Sequence, residues 1–176
     1  TTDGLPGNTI TDIIQSKDGY IYIGTYDGLV RYDGFDFTIL NKNTVADFDC
    51  VSARSVFEDS NEVLWVGSND GGLARIKDGK VTMFTVEDGL PNNSIRAITE
   101  DKQGNIWIGT ASGTVYYSEK KGFVVPEGLE ALESDQEVAV SLYCDTAGRI
   151  WLNTAKQGGV YYYTSGKFQK YKGLDS

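Results

Sequence analysis

The chain has 176 residues, 40% hydrophobic and 23% charged, with Gly 21, Tyr 11, Phe 7, Trp 3, Pro 3 and no histidine; this is the size and mix of one folded domain and excludes a disordered chain. No apolar run approaches the roughly 20 residues of a spanning helix, and the lack of histidine removes His-based triads, His metal sites and His general bases. Basic residues number 16 against 25 acidic ones, for a net charge of −9 and a pI of about 4.5, which disfavours nucleic acid and anionic membrane surfaces as partners.

Taken in chain order, the predicted elements are short strands divided by glycine-rich turns. An alternating strand over residues 10–15 leads through the turn Lys17-Asp18-Gly19 into Gly19-Tyr20-Ile21-Tyr22-Ile23-Gly24-Thr25. Gly28-Leu29-Val30-Arg31-Tyr32 follows, and after the turn Asp33-Gly34 comes a fourth strand over residues 35–40. The same series recurs over residues 53–58, 62–68, 72–76 and 81–85, with the turn Lys77-Asp78-Gly79-Lys80 before its last member. It recurs again over residues 95–100, 104–110 and 113–117, where no fourth strand is evident, and finally over residues 139–144, 148–154, 159–163 and 168–171. No segment longer than about ten residues has a 3.6-residue apolar period, so no long helix is expected. Residues 127–135 are the one stretch with room for a short helical turn.

The four series are one repeat. Their central aromatics stand at Tyr22, Trp65, Trp107 and Trp151, spaced 43, 42 and 44 residues apart. Four strands in 40 to 45 residues, repeated, is the pattern of a β-propeller blade; β-helix repeats are shorter, and a sandwich would not repeat its sequence. The expected fold is therefore an all-β propeller section of four blades, each of four antiparallel strands, at about residues 3–45, 46–87, 88–131 and 132–175. The second-strand aromatics and aliphatics read as packing between blades, and Gly24, Gly67 and Gly109 as places where a neighbouring strand approaches closely. Cys50 and Cys144 form no CxxC and are expected to be unpaired.

The pattern Asp18-Gly19-x-Ile21-Tyr22-Ile23-Gly24-Thr25-x-x-Gly28-Leu29-x-x-Tyr32-Asp33-Gly34 resembles the two-component regulator propeller repeat, as does Lys102 to Tyr117 over its first two thirds. The lead-in loop typical of that family is seen in Asp3-Gly4-Leu5-Pro6-Gly7-Asn8-Thr9-Ile10 and Asp88-Gly89-Leu90-Pro91-Asn92-Asn93-Ser94-Ile95. The likeness covers all four repeats. The second departs from it, with Ala46-Asp47-Phe48-Asp49-Cys50 in place of Gly-Leu-Pro; the fourth has about five extra residues after Gly128-Leu129, and Asn153 where Gly is usual. The resemblance implies the extracytoplasmic, periplasmic or cell-surface sensor region of a membrane-bound signalling protein. Its output would be a histidine kinase, often a hybrid phosphorelay protein, or a diguanylate cyclase. It also implies a larger ring, commonly of seven blades. A start at Thr1 rather than Met, and a last segment, Gly173-Leu174-Asp175-Ser176, that looks like a further lead-in loop, suggest a section of such a ring.

A search for catalytic chemistry in the sequence assigns nothing. Asp47 with Asp49, Glu58 with Asp59 and Glu100 with Asp101 sit at turn positions and read as caps and solvated edges. Asp47-Phe48-Asp49 lacks the Gly and distal Glu of a calcium loop. Asn69-Asp70-Gly71-Gly72 lacks the Lys and Ser/Thr of a phosphate cradle, and a nucleophilic Ser or Cys would have no histidine partner. No catalytic residue, metal or cofactor is expected. Binding has more to draw on, because the lead-in loop and the loop between second and third strands must open on the same face when strands alternate direction. The positions Thr11, Arg54, Arg96 and Val140, and their successors Asp12, Ser55, Ala97 and Ser141, vary in polarity and are candidates for the central channel. The predicted ligand set is Tyr26, Asp27, Arg54, Asn69, Asp70, Arg96, Ser112, Lys156 and Gln157, suited to a small polar molecule or peptide. A protein-assembling scaffold without a small-molecule ligand is the alternative. The first and last blades would each lack a neighbour, so self-association of an open arc, as a homodimer, is also expected.

Overall fold

The computed structural model describes residues 5–7, 9–129, 139–154 and 159–173. Its strands come in runs of four. The first run is β1 (Ile10–Gln15), β2 (Ile21–Thr25), β3 (Gly28–Tyr32) and β4 (Phe37–Leu40); the second is β5 (Ala53–Glu58), β6 (Leu64–Ser68), β7 (Leu73–Lys77) and β8 (Lys80–Phe84). The third is β9 (Ile95–Glu100), β10 (Ile106–Thr110), β11 (Gly113–Ser118) and β12 (Gly122–Val124); the fourth is β13 (Ala139–Cys144), β14 (Ile150–Thr154), β15 (Val160–Thr164) and β16 (Lys167–Lys170). Each run is its own four-stranded antiparallel sheet in chain order. The leading strands pack on one another in succession, β1 on β5, β5 on β9 and β9 on β13, so they form the inner edge of an arc of propeller blades.

The fourth strand expected in every blade is present in the third as well, as the three-residue β12, which the sequence pattern did not place. One element departs from expectation: a single 3-10 turn (Val86–Asp88) precedes the third blade. Thr85 caps that turn, with the Asp88 carboxylate reaching back to the Thr85 N–H at 2.8 Å. Residues 127–129 form a turn, and the rest of the stretch with room for a helical turn lies outside the described residues.

An aspartate six residues before each tryptophan explains how the turn into the second strand is built. Asp59 accepts the N–H groups of Asn61 and Val63 on one oxygen and the Trp65 indole N–H, at 2.9 Å, on the other. Asp101 does the same for Gln103, Asn105 and Trp107, and Asp145 for Ala147, Arg149 and Trp151. In the first blade both partners change together: Ser16 stands in the aspartate's place, and Tyr22, which has no indole N–H to satisfy, in the tryptophan's. The Asp145 carboxyl is held well below the usual carboxylate range, chiefly by the Trp151 indole and then by the N–H donors of Arg149.

The core lies between blades. Leu29, Phe48, Val56 and Val66 join the first two, and Trp65, Ile95, Ile106 and Ile108 join the second to the third. Trp65 packs on Tyr117 at 5.5 Å between ring centres, and Trp107 on Tyr163 at 4.9 Å, each contact crossing from one blade to the next. The expected close approach at glycine is present: a Cβ on Gly24 would lie 2.8 Å from the Ala53 carbonyl of β5, and one on Gly67 would collide with Ile95 of β9. The second lead-in loop keeps an apolar plug despite its different sequence, because Phe48 falls at the repeat position of Leu5 and Leu90 and is buried, as Leu90 is.

Carboxylates also fasten the blades. Glu58 accepts the Lys17 N–H at 2.8 Å, and Glu100 accepts the Ser60 N–H at 2.7 Å and its hydroxyl at 2.6 Å, each from the preceding blade. The neighbouring Glu–Asp pairs therefore divide their work: the Asp caps its own turn while the Glu clasps the blade before it. At the next joint Cys144 occupies the glutamate's position, and only the lysine tie is kept: the Lys102 ammonium reaches the Thr146 carbonyl as that of Lys17 reaches the Ser60 carbonyl.

The arc ends on two uncovered faces. Ile13 is 59% exposed, whereas its repeat equivalents Val56 and Ile98 are 3% and 7% exposed. On the opposite flank Tyr143 is 63% exposed where Thr99 is buried. Cys50 and Cys144 are unpaired.

Candidate functional site

One register irregularity, repeated in every blade, shapes the candidate site. Ala53 pairs with Ser68 and Ser55 with Gly67, leaving Arg54 as the extra residue of a β-bulge. Thr11 in β1, Arg96 in β9 and position 140 in β13 occupy the same place in their strands. A bulge bends the strand and re-aims the side chain it carries. These are the positions expected at the channel, but they behave differently from one another.

Thr11 turns to the second blade, where its hydroxyl donates to the Ala53 carbonyl at 2.5 Å. Asp12 accepts the N–H of Ile13 on one oxygen and that of Val56, across the blade boundary, on the other, at 2.8 Å. Both are joints between blades rather than free channel groups. Ala97 is buried. Ser141 gives its N–H and hydroxyl to Asn153, the residue that replaces the usual Gly. The side chain of Val140 lies outside the described residues.

Arg54 and Arg96 are what remains, side by side on adjacent inner strands. Arg54 donates from Nη1 to the Asn69 side-chain oxygen at 3.1 Å, and the Asn69 N–H is held in turn by the Ser52 hydroxyl. The Arg54 guanidinium is pushed below its ordinary range, first by burial and then by the charge of Arg96, with the Tyr26 phenol acting in the opposite sense. Of the predicted residues, Arg54 and Asn69 are in contact, and Tyr26 and Arg96 lie near enough for their charges to act on Arg54, so the four share one mouth. Hydroxyls make that rim rigid. Thr25 donates to the Gly28 carbonyl at 2.8 Å and accepts the Asp27 N–H, and Thr110 repeats the arrangement with Gly113 and Ser112.

The other predicted residues stand apart from this cluster. Asp70 leans on the Ser68 hydroxyl. Ser112 accepts from the Asn92 amide at 2.9 Å, tying two loops of its own blade. Asp27 lies against Gly7 and lines a pocket of about 130 Å³ with Asn41, Asn43, Asp49 and Cys50. Burial pushes the Cys50 thiol up to about 12, so no thiolate nucleophile is available there. Lys156 and Gln157 lie outside the described residues. Among the described residues no group of three or more Cys, Asp and Glu side chains could hold a metal ion. Two grooves of about 390 Å³ follow the joints between the last three blades, but their carboxylates are engaged: Asp59 and Asp101 hold the tryptophan indoles, and Glu119 pairs with Arg75.

Comparison with known proteins agrees with this architecture. The two component regulator propeller family matches residues 4–27 and 89–112, one lead-in loop and the two strands after it in each case. The chain carries two-component regulator propeller repeats. Histidine kinase P4 of Formosa agariphila is 30% identical to this propeller over 85% of the chain, which spans 12% of that kinase. The extracellular domain of a hybrid two component system of B. thetaiotaomicron (BT4673) is 25% identical with a TM-score of 0.71, over 93% of the propeller chain and 22% of that chain. The fold alone is shared with virginiamycin B lyase of Staphylococcus aureus, 16% identical at a TM-score of 0.75, over 96% of this chain and 57% of the lyase. A variant of that lyase with one histidine changed to alanine is described as catalytically inactive. No helix among the described residues is long and apolar enough to cross a membrane.

Proposed function

We propose that this propeller arc is part of the extracytoplasmic, ligand-sensing region of a bacterial signal-transduction protein, and that it binds its ligand without transforming it. The observation that carries the reading is the meeting of Tyr26, Arg54, Asn69 and Arg96, contributed by three successive blades, at one mouth of the arc. Residues drawn from separate blades register small changes in blade spacing, so a bound molecule biases the arrangement of the arc. The kinship with a histidine kinase and with a two-component extracellular domain supports a phosphorelay output, with a diguanylate cyclase as the other form of output. The ligand is a small polar molecule or a peptide. Lack of catalysis is supported by the absence of histidine from the whole chain, the residue type whose loss inactivates the lyase of the same fold.

A thermal-shift screen of the chain against small polar compounds and short peptides tests this reading, followed by phosphorylation assays on the longer signalling protein. The expected result is a compound that raises Tm, is recovered unchanged, and alters output. Turnover of the compound would replace sensing by enzymology. Capture of a defined protein partner, with no small compound bound, would favour the scaffold.

A further inference from the structure

The chain contains five arginines, and three are neutralised or stacked, two within their own blades and Arg75 across to the next. Arg75 pairs with Glu119 at 2.7 Å and Arg149 with Asp145 at 2.6 Å. Arg31 lies 4.6 Å over the Tyr20 ring. Arg54 and Arg96 differ: among the described residues neither has a carboxylate within ion-pair distance. Carboxylates that could have served them are committed elsewhere. Asp12 spends both oxygens on backbone N–H groups, Asp70 leans on Ser68, and Asp27 lies against Gly7. On a chain of net charge −9 this is an unusual place to leave two positive groups together.

We propose that Arg54 and Arg96 form a two-blade clamp for an oxyanion, a carboxylate or a sulfate or phosphate group, carried by the ligand that enters this mouth. Guanidinium groups present planar forks of N–H donors that match such oxygens two at a time. Asn69 fixes the Arg54 fork from one side, and the bulges in β5 and β9 set both side chains at the same level of the arc. An anion between them relieves the repulsion of the two cations and ties the second blade to the third. The inference rests on the sensing reading only for its role, not for the binding chemistry.

The test follows the arginine Nε–H signals in ¹H–¹⁵N spectra of the intact chain. Sodium acetate, sulfate and phosphate are titrated separately against chloride at constant ionic strength and pH 7, so that carboxylate and tetrahedral oxyanions are told apart. Signals are assigned by their loss in Arg54→Gln and Arg96→Gln, with backbone spectra confirming that both variants remain folded. At least one oxyanion should shift both signals saturably while those of Arg31, Arg75 and Arg149 stay in place. Each single variant should weaken binding roughly tenfold to a hundredfold, the worth of a charged hydrogen bond. Common, non-saturating movement of all five arginines would overturn the clamp. Binding of only neutral compounds in the thermal screen would overturn it while leaving sensing intact. Oxyanion binding with unchanged output in the Arg54→Gln signalling protein would support the clamp and defeat the sensing reading.

Discussion

Replacing Trp107 by alanine should be among the costliest single changes in the molecule. The side chain is 2% exposed, packs in tilted contact on Tyr116 of its own blade at 5.4 Å and on Tyr163 of the next at 4.9 Å, and donates its indole N–H to Asp101 at 2.9 Å. Truncating a buried large aromatic costs about 3–5 kcal/mol through lost transfer energy and the cavity left behind. Trp107→Phe separates the two contributions. It keeps most of the ring contact but removes the indole donor, and the lost hydrogen bond to a carboxylate should account for about 1.5–3 kcal/mol. Phe35→Ala serves as the control: that ring is 91% exposed, and its loss should stay within about 0.5 kcal/mol. Urea melts of the four proteins at 25 °C provide the comparison, with m-values checked for constancy. A loss below about 1 kcal/mol for Trp107→Ala would show that the ring is not buried between blades, and the packing account would be wrong.

Acid sensitivity should depend on Asp145. Because its folded pKa is depressed, its contribution is present above the ordinary carboxylate range and is lost as pH falls below about 4, so Asp145→Asn should flatten the acid limb of a stability–pH profile while wild type keeps it. An unreduced mass two protons lighter, without dimer, would contradict the two free thiols; with the chain folded, an alkylating reagent should label Cys144 well before the buried Cys50. At micromolar concentration the two uncovered end faces should drive self-association, and light scattering that returns a 19.3 kDa monomer with a cooperative melt would show the arc to be stable alone.

The sequence makes the blades readable because each repeat must solve the same problem, a sheet with both faces covered by neighbours. Trp65, Trp107 and Trp151 mark that solution at nearly constant spacing. The Asp–Trp pairing was also open to view, since an aspartate precedes each tryptophan by six residues and both are absent together at Ser16 and Tyr22. Its meaning depends on a turn that folds the carboxylate back beneath the indole, which spacing alone does not reveal. A fourth strand is expected in the third blade, but β12 cannot be placed from sequence because three residues around Phe123 are too few to show alternation. At the candidate site, polarity picked out Arg54 and Arg96 but could not distinguish them from Thr11 or Asp12. That distinction comes from the register shift in each leading strand, and from which backbone of the next blade happens to lie within reach.

The substitution of Cys144 for the clasping glutamate gives the arc an uneven mechanical character. At the first two joints a short carboxylate grips a backbone N–H of the preceding blade, an arrangement with little slack. The first joint also has a lysine tie, from Lys17 to the Ser60 carbonyl, beside its carboxylate; at the third joint the carboxylate is gone and the equivalent tie, through the four-carbon stem of Lys102 to Thr146, is what remains of the clasp. Where the turns meet, the clasp between the third and fourth blades is therefore the loosest of the three, and the hold of the fourth blade there falls more heavily on packing such as that of Trp107 on Tyr163.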